Sequence, residues 1–339
     1  MKLGIIGLPG SGKSTIFEAL TKSFTDTHKG ESRIATIRVP DKRVDVLSNM
    51  YKPKKTVYAQ VEYFLPRVTD HQKEQNIWVL IRDCDALIHV IRNFSGYGLV
   101  EPSPYNDFLK IEEELILSDL VAVEKRLERL DLDQKRGKKI DQEELSLLNE
   151  CLNNLENEIP LRRFSDLAYA HLLKGYAYIS AKPMLVLFNN DDEDDRFPNI
   201  ENFVDKKECL VLRGKLEHEL AQMSDEEAKE FLSEFNITGS AMDRVIKRSY
   251  DLLDLISFFT VNNNELRAWT IKKETKAVDA AGAVHSDMKR GFIRAEVISY
   301  EDLMAAGTYP EAKKKGVVRL EGKSYPVQDG DIINFRFNV

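Results

Sequence analysis

Eight consecutive residues near the start of the chain, Gly7-Leu8-Pro9-Gly10-Ser11-Gly12-Lys13-Ser14, fill the pattern G-x-x-x-x-G-K-[ST] at every position. A triphosphate needs backbone N–H groups turned inward with no Cβ in the way, which Gly7, Gly10 and Gly12 permit. The helix expected after the loop adds its positive N-terminus. Lys13 is placed to bridge the β- and γ-phosphates, and the Ser14 hydroxyl to take one Mg²⁺ position, since that hard ion prefers oxygen ligands. Pro9, Ser11 and Thr15 complete the stretch expected to line the phosphates.

The elements that must position these residues follow from the flanking pattern. Leu3, Ile5 and Ile6 form a short apolar strand, and Ile16, Phe17 and Leu20 give the following helix a core face. Strand, Gly-rich turn and helix together predict an α/β fold of the P-loop type. His28 to Pro40 has the polar character of an exposed loop, within which Thr36 is a second candidate for Mg²⁺. Val57 to Leu65 alternates and is rich in β-branched and aromatic residues, so it reads as a strand ending at Pro66; Ala86 to Ile91 reads as a buried strand. In switch GTPases the first of these strands ends in an Asp-x-x-Gly segment that senses the γ-phosphate. Here the strand ends Phe64-Leu65-Pro66-Arg67-Val68, and that segment is absent.

From residue 107 the period changes. Phe108, Ile111, Leu115 and Ile116, Leu120, Val123, Leu127 and Leu130 step by three and four, and Leu145, Leu148, Leu152, Leu155 and Ile159 do so again, predicting an antiparallel coiled-coil hairpin. Asp141 and Glu144 resemble a capping box, Pro160 ends the second helix, and a third helix is expected over Phe164 to Tyr176. The turn carries Lys135, Arg136, Lys138 and Lys139 around Gly137, either a solvated turn or a phosphate-contacting tip. The strand Met184 to Phe188 then runs into Asn189-Asn190-Asp191-Asp192-Glu193, where a GTPase keeps its base-reading loop. The next strand, Glu208 to Leu212, leads to Arg213-Gly214-Lys215, positioned to pass over a purine. From Phe258 the pattern turns to short strands, with a helix near Val278 to Met288, as in a small β-rich module.

Composition bounds the rest. With 339 residues, 42% of them hydrophobic, the chain can bury more than one core. A net charge of -7 argues against a wholly basic nucleic-acid coat, so any RNA contact must come from local patches. Cys84, Cys151 and Cys209 are far apart, lack metal-ligand spacing and suit a reducing cytosol. No apolar run approaches the ~20 residues of a membrane span, and no cleavable signal precedes the phosphate loop. We expect a cytoplasmic monomer with no membrane contact.

The chain resembles the YchF family, the Obg-like ATPases among translation-factor-class P-loop proteins. The phosphate loop, the Val39-Pro40-Asp41-Lys42-Arg43 segment with Lys52-Pro53-Lys54 after it, the helical insertion and the Lys182-Pro183 strand carry the resemblance. The C-terminal stretches RAWTIKKETKAVDAAG, GFIRAEVISYEDL and RLEGKSYPVQDGDIINFRFNV are its most specific part. The resemblance implies a Ras-like nucleotide domain over 1–106 and 177–256, a helical coiled-coil insertion over 107–176, and a β-grasp (ubiquitin-like, TGS-type) domain over 257–339. It also implies a ribosome-associated protein that contacts ribosomal RNA and prefers ATP over GTP. Family members carry Asn-x-x-Glu at the base-reading loop. An ungapped fit places Asn189 and Asp192 there, whereas a one-residue slip places Asn190 and Glu193. The first frame makes guanine credible, although Asn190 stands where a Lys usually covers the guanine ring, and the second keeps adenine.

Three functions remain open on sequence alone: a ribosome-bound ATPase, a nucleotide-binding scaffold with little turnover, and an RNA-binding module. An intact phosphate loop favours the first two, and the missing Asp-x-x-Gly segment favours the second over the first. The Lys13→Ala protein is expected to bind no nucleotide. Ligand at ~100 times its dissociation constant should then stabilise the wild type by about 2.7 kcal/mol and the mutant not at all. Equal thermal shifts in both proteins would refute the phosphate-loop assignment.

Overall fold

The computed structural model describes residues 1–24, 32–67, 75–96, 100–199, 205–234 and 239–338. The chain forms two compact units, one of residues 1–36 and 62–245, the other of residues 37–61 and 246–339. In chain order the elements of the first half are β1 (Lys2–Ile6), α1 (Lys13–Thr21), β2 (Arg33–Arg38), α2 (Lys42–Tyr51), β3 (Lys55–Val57), β4 (Gln60–Leu65), α3 (Gln75–Leu80), β5 (Ala86–Asn93), α4 (Pro104–Lys135) and α5 (Gln142–Glu156). The second half continues with α6 (Ser165–Ala168), β6 (Met184–Asn190), β7 (Cys209–Leu212), α7 (Gly214–Gln222), α8 (Asp225–Glu234), α9 (Ala241–Asp251), β8 (Leu255–Val261) and β9 (Glu265–Lys272). It ends with α10 (Ala277–Val284), α11 (Ser286–Arg290), β10 (Phe292–Ile298), α12 (Tyr300–Ala306), α13 (Tyr309–Lys314), β11 (Arg319–Glu321) and β12 (Ile332–Phe337).

In the first sheet the order is β2-β4-β1-β5-β6-β7, with β1 parallel to both β4 and β5 and β5-β6-β7 continuing parallel. Parallel strands covered on both faces read as apolar runs, as Met184 to Phe188 of β6 does before the buried pair Asn189 and Asn190 at its end. The phosphate loop leaves the C-terminal end of β1, where open α/β sheets hold their ligands. Residues 33–38, expected as loop, are strand β2: exposure alternates along Arg33 to Arg38, with Thr36 on the exposed side. Residues 28–31 of that expected loop, and residues 68–74 where the Asp-x-x-Gly segment is missing, lie outside the described residues.

The helical hairpin forms as expected, but its details differ. One helix, α4, serves two cores: Phe108, Ile111 and Leu115 pack with Phe64, Leu87 and Phe188 of the sheet, while Val123 and Leu130 pack with Leu148, Cys151 and Leu155 of α5. Asp141 caps α5, accepting from the N–H groups of Glu143 and Glu144. Glu144 does not return the bond as in a capping box, because its carboxylate receives the Arg126 fork at 2.9 and 3.0 Å and the Tyr176 hydroxyl. The third helix expected over Phe164 to Tyr176 is instead α6 followed by turns bonded three residues apart. Leu167 and Leu173 are both held in the hairpin core, and Ala177 closes the segment in the left-handed region, φ 49°.

The second unit contains a mixed sheet of order β11-β10-β12-β8-β9-β3 around α10. Ala277, Ala280 and Ala281 present a smooth helix face to Phe258, Val297, Ile333 and Phe335. The strand expected over Val57 to Leu65 is divided, β4 joining the first sheet and β3 the edge of this one. Lys55, Thr56 and Val57 pair in parallel with Glu265, Leu266 and Arg267, so a segment from the first quarter of the chain completes the C-terminal sheet. Arg43 fixes that segment: its guanidinium bonds Asp41 and Asp329 and lies 5.3 Å over the Phe259 ring. The expected strand over Tyr325 to Val327 is a single bridge between Lys276 and Pro326, since Pro326 has no N–H to extend a ladder. The expected helix from Val278 to Met288 is broken at His285, which turns extended and caps α11 at the Asp287 N–H, 3.2 Å.

The buried face of α2 gives a direct test of how this segment is held. Leu47 is fully buried and its neighbour Val46 is 39% exposed. Urea unfolding should show Leu47→Ala losing about 2–5 kcal/mol and Val46→Ala within about 0.5 kcal/mol of the wild type. Equal losses would contradict this placement of α2.

Candidate nucleotide site

The phosphate loop owes its shape to three glycines at positive φ: Gly7 at 146°, Gly10 at 77° and Gly12 at 93°. Two of them also lack room for any side chain. A Cβ at Gly7 would sit 2.3 Å from the Val90 carbonyl oxygen, and one at Gly12 would sit 2.2 Å from Asn189 Nδ2. Gly12 is also the N-cap of α1 and offers no side chain to the first turn, so the N–H groups there remain open to an anion. Ser14 is exposed at that turn, whereas Ser11 is buried with a hydroxyl that has no hydrogen-bond partner among the described residues. The cradle therefore fits a polyphosphate: free donors, no Cβ atoms, and an exposed hydroxyl oxygen on Ser14 for a hard cation.

Lys13 folds back over the loop, donating to the Gly7 and Leu8 carbonyl oxygens at 2.8 and 2.7 Å. Burial lowers its pKa from 10.5 to about 8. Behind it, Glu18 of α1 accepts from Arg33 at the start of β2 (2.7 Å) and lies 3.1 Å from His218 Nε2 of α7.

The residues expected on the base side come together around one amide. Asn189, at the end of β6, is 4% exposed; its Nδ2 donates to the Ser11 carbonyl oxygen (3.1 Å) and its Oδ1 accepts from the Gly214 N–H (2.9 Å). Gly214 must be glycine for this, because a Cβ there would lie 2.5 Å from Asn189 Oδ1. Asn190 points elsewhere, bonding the Arg196 carbonyl oxygen and the Asn93 side chain. Of the two possible frames, the bracing asparagine is thus Asn189. In that frame Asp192 stands at the acid position; its Oδ1 accepts from the Leu216 N–H (3.1 Å), and Lys215 Nζ lies 3.7 Å from Oδ2. Arg213 donates to the Asp192 carbonyl oxygen at 3.3 Å, and the Lys215 side chain is 77% exposed. Glu193 is exposed. Thr36 is held in strand β2 rather than in a loop, and the contacts of Asp192 with the Leu216 N–H, Lys215 and Arg213 were not part of the sequence reading.

Comparison with known proteins finds relatives that match over almost the whole chain. The ribosome-binding ATPase YchF of Bacillus subtilis (strain 168) is 38% identical over 362 aligned positions, covering 99% of each chain. That of Haemophilus ducreyi is 35% identical over 360 positions, covering 100% of this chain and 99% of that one. The chain belongs to the YchF family. Residues 255–338 match the family model YchF-GTPase_C, described as a protein of unknown function (DUF933). The solved YchF GTPase of Schizosaccharomyces pombe superposes with a TM-score of 0.85 at 28% identity, covering 99% of this chain and 97% of that one. Both sequence alignments run longer than the 339 residues here, so these YchF relatives carry residues that have no counterpart in this chain.

The Lys13 geometry gives the site a pH signature. A polyphosphate beside the ammonium favours its charged form, so nucleotide binding near pH 8 should take up about half a proton, and affinity should fall as pH rises above the Lys13 pKa of about 8. Calorimetric titration in two buffers of different ionisation enthalpy measures that uptake. Zero uptake would show that Lys13 is fully charged before the ligand arrives.

Proposed function

We propose that this protein binds a purine nucleoside triphosphate with Mg²⁺, hydrolyses it slowly, and acts in association with the ribosome. The observation that carries the nucleotide reading is the Asn189 amide, which ties the phosphate loop to the loop at Gly214 and so builds one continuous site. Gly7, Pro9, Gly10, Ser11, Gly12, Lys13, Ser14 and Thr15 line the phosphates, and Arg213, Gly214 and Lys215 border the base. Ser14 is the metal ligand we assign; Thr36, set in β2, is given no role. The ribosomal reading draws on the bacterial relatives, which are named ribosome-binding ATPases.

Base choice turns on Asp192. Guanine offers two donors to a carboxylate, whereas adenine offers one donor beside an acceptor. Oδ1 of Asp192 accepts from Leu216 and Oδ2 has Lys215 Nζ at 3.7 Å, yet each carboxylate oxygen can accept a second bond, so this placement leaves guanine credible. Our preference for ATP, by less than tenfold, draws on the bacterial relatives, which are named ATPases. The absence of Asp-x-x-Gly favours a second reading, a scaffold that binds nucleotide and hydrolyses almost none.

Competitive titration of a fluorescent nucleotide with ATP and GTP, on the wild type and Asp192→Ala, tests the base assignment. GTP winning by tenfold would overturn the ATP preference, and unchanged selectivity in Asp192→Ala would remove Asp192 as base reader. Single-turnover hydrolysis should run at or below the order of 10⁻³ per second, since phosphoryl transfer depends on positioning that the missing segment supplies. Faster partner-free turnover would contradict it.

A further inference from the structure

The loop after β7 holds Asp192 from several sides. Oδ1 of its carboxylate accepts from the Leu216 N–H (3.1 Å), its carbonyl oxygen accepts from Arg213 (3.3 Å), and Lys215 Nζ stands 3.7 Å from Oδ2. Asn189 is tied to Gly214 of the same loop (2.9 Å). Residues 189–192 and 213–216 are thus joined into one ledge beside the phosphate loop, to which Asn189 also bonds through the Ser11 carbonyl oxygen. A short side chain bonded at both its backbone and its carboxylate has little freedom left, so Oδ2 is presented in a fixed place.

Lys215 is not explained by the fold. Its side chain is 77% exposed, its ammonium makes no hydrogen bond among the described residues, and an exposed ion pair of this length contributes little to stability. What it supplies is chemistry. An ammonium only donates and a carboxylate only accepts, so Lys215 and Oδ2 of Asp192 set a donor beside an acceptor at the edge of the candidate base site. Purines present the complementary arrangement at positions 6 and 1. Adenine has a donor at N6 and an acceptor at N1, whereas guanine and hypoxanthine have an acceptor at O6 and a donor at N1. The pair fits either order by exchanging which side chain meets which atom. A carboxylate alone repels adenine N1, and its best match is N1–H with N2–H of guanine.

We infer that Lys215 is a base-reading residue: with Asp192 it reads positions 6 and 1 of a purine and leaves position 2 unread. The inference rests on the nucleotide binding proposed above and narrows the ligand class to purine nucleoside triphosphates that carry a hydrogen-bonding group at position 6. The guanine amino group stays in water. Guanine and hypoxanthine are then equivalent ligands, and a purine with only hydrogen at position 6 is a poor one, because it leaves one member of the pair unmatched.

Displacement of a ribose-labelled fluorescent ATP from the full-length protein by ATP, GTP, ITP and purine riboside triphosphate tests this. In the wild type GTP and ITP should compete within about twofold of each other, and purine riboside triphosphate should be weaker than ATP by about fivefold. Lys215→Met keeps most of the stem and removes the ammonium. The Asp192 carboxylate then does best on N1–H and N2–H together, so ITP should fall behind GTP by about fivefold. Lys215→Arg keeps a donor and should hold GTP and ITP level. All three proteins should unfold at the same temperature without ligand, since the side chain lies at the surface. GTP ahead of ITP by about fivefold or more in the wild type, or the same GTP-to-ITP ratio in Lys215→Met as in the wild type, overturns the inference and leaves nucleotide binding in place. A wild type that binds none of these triphosphates overturns the nucleotide reading, and the inference with it.

Discussion

One side-chain amide holds the nucleotide site in shape. Asn189 donates to Ser11 and accepts from Gly214, so residues 178 and 25 positions away in the chain meet on a group that is almost wholly buried. A buried amide must find such partners or lose about 1–3 kcal/mol per unmet group. Two glycines follow from that one placement. Gly12 and Gly214 each yield their Cβ space to Asn189, from opposite sides, at would-be separations of 2.2 and 2.5 Å. The invariable part of the phosphate-loop pattern at Gly12 is therefore set from outside the loop as well as by its own φ of 93°.

The phosphate loop was legible in the sequence because its chemistry is local: eight consecutive residues between an apolar strand and an amphipathic helix. The base-side frame was not. Asn189 and Asn190 are chemically identical, and only the contacts of Ser11, Gly214, Arg196 and Asn93 tell them apart. The hairpin was legible through its period of three and four. At its tip Lys135 and Lys138 pair with Asp131 and Asp133, contacts that a count of cations alone does not reveal. Strand β3 was invisible for a different reason. Three residues carry no periodic signal, and their partner in the ladder, β9, lies more than 200 residues later.

The same long-range logic shapes the C-terminal unit. Arg43 reaches Asp329 across 286 positions and stacks on Phe259, which anchors α2 and β3 to a sheet built from the end of the chain. Within that sheet, Glu296 does for Arg336, Asn334 and Lys313 what Asn189 does for the nucleotide loops: one buried acceptor fixes several donors. Buried groups of this kind specify geometry because a misplaced partner leaves them unsatisfied.

The most direct test of the Asn189 brace is a double-mutant cycle on nucleotide affinity with Asn189→Ala and Gly214→Ala. Gly214 has an ordinary backbone at the first residue of α7, so alanine is harmful there only through its collision with Asn189. Each single variant should lose affinity, and the double variant should be no weaker than Asn189→Ala alone. Losses that simply add would show that the two residues act independently and that Asn189 is not the link between the loops.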